Sequence, residues 1–178
     1  MSIDLHTALL PGWLQTIGAV RGLVDRAEQH CTESGMAPAD LIDARLIADM
    51  FPFSYQVKSC TVHSRFAIES CRTGTFSPDM SEPPNSFDAL RAQLDSTMAY
   101  LQALTPAEMD DLIGREVAFV IKERVLREFK AELFLLTFSQ PNVYFHATTA
   151  YDILRMNGVK IGKTDYLGWS RPPQTGKG

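Results

Sequence analysis

Apolar residues recur along the chain at intervals of three and four in several separate runs, and each run predicts a helix with one face turned to a core. The first steps through Trp13, Ile17, Val20, Val24, Ala27 and Cys31 and stops at Gly35, a residue suited to a left-handed C-cap. A shorter helical stretch follows in "PADLIDARLIADM", where Arg45 and Asp49, four apart, are placed to pair along a helix surface, or Asp49 to cap the next helix. That next helix opens at Pro52 and leaves at Gly74, with Phe53, Val57, Cys60, Ser64, Ala67 and Cys71 as its inward stripe and Gln56 and His63 on the flank. After the loop "TFSPDMSEPPN", Ser86 caps a third helix that carries Phe87, Leu90, Leu94, Met98 and Leu101 inward.

Beyond Leu104 the pattern changes. "TPAE" is a capping box with proline at the first helical position, so a short helix begins there. "REVAFVIKERVLREFKA" then alternates, with Val117, Phe119 and Ile121 on one side, and predicts a small β-hairpin. "KERV" has no Asn-Gly or Gly-Gly turn, so a helix over residues 123–130 stays as the alternative. The last long helix runs from about Lys130 to Asn157, and Pro141 inside it removes a backbone bond and should kink it. Four main helices, three with one-sided stripes, predict an all-α fold. It is a four-helix bundle with a long connection between the third and fourth helices, spanning residues 1–168 as one domain, with 169–178 as a mobile tail.

Composition narrows the function classes. A chain of 178 residues with a formal net charge of -4 and a pI near 5.5 carries no Lys/Arg cluster able to neutralise a row of phosphates, which argues against nucleic-acid binding. Its start has Asp4 and no basic n-region, and no segment holds the roughly 20 uninterrupted apolar residues of a membrane helix. A soluble, cytoplasmic protein is expected. The three cysteines, Cys31, Cys60 and Cys71, contain no C-x-x-C pair and sit among apolar neighbours, as buried reduced thiols do.

The candidate chemistry lies on the last helix. Asn142 and His146, four apart, share a face continued by Thr149 and Ile153, which turns His146 inward. Gln56 and His63 on the second long helix are its possible partners. Tyr151 and Tyr144 would line a pocket or an interface, or simply pack. From the residues alone His146 is either a metal ligand or a core histidine with one hydrogen-bond partner. No glycine-rich phosphate loop follows a strand, and no Ser/His/Asp set can be assembled.

Three motifs, "ARLIADMFPFSYQV", "PNVYFHATTAYDILRMNGV" and "GKTDYLG", in that order, resemble an uncharacterised bacterial and fungal domain-of-unknown-function family placed among the DinB/YfiT-like bundles, over Ile3 to about Gly168. The resemblance implies a four-helix bundle, often homodimeric. Better-known members of that superfamily bind a divalent metal through one histidine on the second helix and two histidines four apart on the last. Some relatives transfer thiol cofactors such as mycothiol or bacillithiol. On this pattern the second last-helix histidine corresponds to His146, the first to Asn142, and the second-helix ligand to Gln56. Two of three imidazoles are thus carboxamides, weaker donors for zinc, nickel or iron. His63 lies seven residues past Gln56, about 10 Å along a helix axis, too far to take its place. The expectation is a degenerate metal pocket around Gln56, Asn142 and His146, used for a small molecule or for structure, with no cofactor and no metal-dependent catalysis. One alternative is a divalent-metal-dependent thiol-cofactor transferase or hydrolase-like enzyme with zinc, nickel or iron on the same three residues. The other is a protein-interaction module that uses the bundle exterior.

Overall fold

The computed structural model describes residues 3–169, so most of the expected 169–178 tail lies outside the described residues. Helix α1 is Leu5–Ser34, about two turns longer at its start than its stripe predicts, because the Asp4 carboxylate accepts the Thr7 N–H at 2.7 Å and Leu5, Leu9 and Leu10 add to the buried face. Gly35, at φ 72°, ends it in the left-handed conformation. Helix α2 is only Pro38–Ile42. Arg45 donates to the Met50 carbonyl at 2.5 Å instead of pairing with Asp49.

The second long rod is α3 (Phe53–Thr61), a π turn (Val62–Phe66) and α4 (Ala67–Thr73), closed by Gly74 and followed by strand β1 (Thr75–Phe76). Helix α5 (Phe87–Ala103) starts on the Ser86 cap, and α6 (Pro106–Asp110) on the Thr105–Glu108 capping box. Strands β2 (Glu116–Ile121) and β3 (Arg124–Lys130) form the hairpin, which settles the choice against a helix there. The last rod is α7 (Ala131–Phe134), a second π turn (Leu135–Ser139) and α8 (Gln140–Met156), followed by α9 (Lys163–Tyr166). Pro141 does lie inside this continuous rod, as expected, directly after its π turn. The irregular hydrogen bonding of that turn is where the rod absorbs the backbone bond that the proline removes.

Helix α1 packs on α5 and α8, and α3 packs on α8 and α5, so four rods enclose one core. Trp13, Ile17, Val20, Phe53, Val57, Leu94, Ala147 and Ile153 are fully buried in it. The fold is mostly helical but not all-α. A three-stranded sheet of order β1-β2-β3 covers one end, with β1 parallel to β2 (Thr75 opposite Ala118) and β2 antiparallel to β3 (Val117 opposite Phe129). Phe76, Phe119, Phe129 and Phe134 gather around Phe138 at centroid distances of 5.1–6.0 Å, and this cluster joins the sheet to the rods. Among the described residues no helix is long and apolar enough to cross a membrane. All three cysteines are free and buried, and burial pushes the Cys60 and Cys71 thiols up to about 12, which leaves them unreactive.

Candidate functional site

His146 sits on α8 facing α3, partly exposed, and is held by a two-step relay. The Gln56 side-chain nitrogen donates to the Phe51 carbonyl at 2.9 Å, which turns the amide oxygen toward His146 at 2.7 Å from its Nδ1. An amide oxygen only accepts, so Nδ1 carries the proton and Nε2 keeps the lone pair. Among the described residues Nε2 has no hydrogen-bond partner. Burial pushes the His146 pKa down to about 4, so the ring is a neutral acceptor near pH 7.

His63 also reaches His146. Their rings stack at a centroid distance of 5.4 Å and an angle of 15°. The axial offset from Gln56 therefore does not exclude His63: one imidazole of α8 meets both residues. Seven residues make about two full helical turns, so His63, at the start of the π turn, stands on the same α8-facing flank as Gln56, which reaches along it with a long side chain. His63 is 8 % exposed, and its Nδ1 is buried with no hydrogen-bond partner among the described residues. Burial first, and the neighbouring His146 second, push its pKa down to about 3. Phe76 at 5.5 Å and Phe138 at 5.6 Å complete its aromatic surround. Phe138 belongs to the second π turn, so the two widened turns face one another across the site.

The other sequence candidates separate. Asn142 shares the His146 face, but its side-chain nitrogen donates to the Phe138 carbonyl of its own helix at 2.7 Å. Tyr151 is five residues on, a rotation of about 140°, and packs edge-on to Tyr166 at 6.0 Å on the α9 side, away from His146. Tyr55 and Phe145, which no spacing rule singled out, flank the imidazole at 6.3 and 5.3 Å. Tyr55 lies one residue before Gln56, and Phe145 one residue before His146. Sequence proximity to the two polar residues was the one signal available.

Residues 5–167 match the family described as a domain of unknown function, DUF1993. The chain belongs to the DUF1993 family. This DUF1993 chain is also similar in structure to a DinB family member protein from Shewanella denitrificans, with a TM-score of 0.79 and 25% identity over 95% of this chain and 93% of that one. Its fold is therefore DinB-like. Among curated proteins no sequence matches it.

The donors present do not fit the three-imidazole metal centre that such a fold suggests. Two imidazoles converge, and the Gln56 oxygen is already the acceptor of one of them. Among the described residues no group of three or more His, Cys, Asp or Glu side chains gathers so as to hold a metal ion. What the arrangement offers instead is an oriented, uncharged hydrogen-bond acceptor in an aromatic setting.

Proposed function

We propose that this DUF1993 chain is a four-helix bundle of the DinB type whose metal pocket has become a binding site for a small, uncharged polar molecule. The observation that carries the proposal is the Phe51–Gln56–His146 relay, which fixes one tautomer and leaves Nε2 free. A hydroxyl, thiol or amide N–H of a ligand is the matching donor. Binding suits the site better than proton-transfer catalysis, since a base with a pKa of about 4 lies too far below neutrality to abstract protons well. A charged ligand group would meet no counter-ion at the two imidazoles, whose ring neighbours are Tyr55, Phe76, Phe138 and Phe145.

Two measurements test this. Metal analysis of protein purified without a histidine tag is expected to find metal far below one equivalent, with a thermal transition unmoved by chelator. A stoichiometric divalent ion that disappears in His146→Ala would establish the metal-dependent enzyme instead. A set of small alcohols, thiols and amides, followed through the His146 ring nitrogens by NMR, is expected to shift Nε2 selectively and to lose binding in His146→Phe. Hits that survive that substitution would refute the site.

A further inference from the structure

A cavity lies at Tyr55, whose ring is 6.3 Å from that of His146. It is a cleft of about 250 Å3 between the loop that leads into α3 and the loop that follows β1. Asp43, Arg45, Phe51, Tyr55, Met80 and Glu82 line it. Phe51 stacks on Tyr55 at 4.0 Å and 20°, and the two form an aromatic wall. The opposite wall is fixed by a buried charge. Lys58, only 2 % exposed, donates to the Ser81 carbonyl at 2.7 Å, the Ser81 hydroxyl at 2.9 Å and the Asp79 carbonyl at 3.2 Å, and pairs with the Asp79 carboxylate at 3.0 Å.

The lining is acidic on balance, with Asp43 and Glu82 against Arg45, while the Lys58 ammonium, 6.0 Å from the Tyr55 ring centroid, is paired with Asp79. Phe51 is 47 % and Met80 67 % exposed, with Leu46 and Ile47 also exposed on the adjoining loop, so apolar surface stands open to water around the cleft. Asp43 and Glu82 have no ion-pair partner among the described residues. Arg45 is the one cation in the lining among the described residues, and one of its N–H groups is committed to the Met50 carbonyl. An apolar, aromatic surface under unpaired carboxylates attracts a cation with an apolar body, because the ring quadrupole and the carboxylates act in the same direction.

We propose that this cleft binds a small organic cation, an ammonium group on a compact apolar body. The inference goes beyond the His146 site and does not depend on it. Choline and its neutral isostere 3,3-dimethylbutan-1-ol separate charge recognition from simple burial. With the full chain labelled at its methionine methyls, choline is expected to shift the Met80 signal saturably and to bind about fivefold more tightly than the alcohol. In the Asp43→Asn/Glu82→Gln variant, whose changes are at the surface and whose amide spectrum should stay native, choline is expected to weaken about fivefold while the alcohol is unchanged. Equal affinity for the two probes, no saturable choline shift, or full choline affinity in the double variant would each overturn the proposal. His146→Phe is expected to leave choline binding intact, so failure of this site and failure of the histidine site are read independently.

Discussion

Gln56 is the residue on which the histidine site turns. Its amide joins a backbone carbonyl to an imidazole, and both bonds are part-buried around the buried Gln56 side chain. Gln56→Met keeps the length and removes both bonds. Leaving the Phe51 carbonyl and His146 Nδ1 unpartnered is expected to cost about 1–3 kcal/mol in denaturant unfolding. Long-range nitrogen NMR should then show His146 lose its single tautomer. The two imidazoles also set a pH dependence. Their folded pKa values, about 3 for His63 and about 4 for His146, lie below the ordinary 6.5, so the unfolded chain takes up more protons as pH falls through 6.5. Their contribution is complete above that pH and declines steadily below it. From pH 7 to pH 5 the loss is roughly 2–4 kcal/mol for the pair, discounted for the partial exposure of His146. His63→Phe is expected to halve the slope; an unchanged slope would mean that other groups carry it.

At the scale of elements, the hairpin turn shows where local sequence and fold disagree. Lys122 and Glu123 both adopt positive φ, 47° and 65°, the conformation a two-residue turn demands and one that side chains with a Cβ resist. Lys122→Asn/Glu123→Gly supplies the residues such a turn prefers and is expected to raise stability by about 1 kcal/mol, read as an increase in Tm. A drop would mean that the present side chains make compensating contacts. The alternation of Val117, Phe119 and Ile121 made the hairpin legible in spite of its turn, and Gly35, Gly74 and Ser86 marked helix ends correctly. Strand β1 was not legible, because two residues carry no period and it pairs in parallel with a strand some forty residues away. Nor were the π turns, since the same apolar spacing fits a regular helix. His63 was legible as a residue on the Gln56 flank, but its stacking on His146 was not, because helix spacing fixes a face and not how far each side chain reaches across to the facing helix.

At the scale of the molecule, the rods and the sheet are coupled through one ring. Phe138 touches Phe76 of β1, Phe119 of β2, Phe129 of β3, Phe134 of α7 and His63 of the other π turn, with centroids 5.1 to 6.0 Å away. Asn142 ties itself to the Phe138 carbonyl, so the same turn also holds the α8 face that carries His146. Sequence periodicity placed Phe138 on a helix but could not show that three strands would close over it. If the sheet were an appendage, loosening its contact with the rods would split unfolding into two steps. With the hydrophobic core running unbroken from α1 to Val117 of β2, a single cooperative transition follows instead. Phe138→Ala is expected to cost about 2–3 kcal/mol, less than a fully buried phenylalanine because this ring is partly exposed. Far-UV and near-UV circular dichroism should shift together, and the His63 ring signals should broaden as its support is removed. Two separated transitions, with the His63 signals unchanged, would show the sheet to be an independent unit and the histidine site to rest on the rods alone.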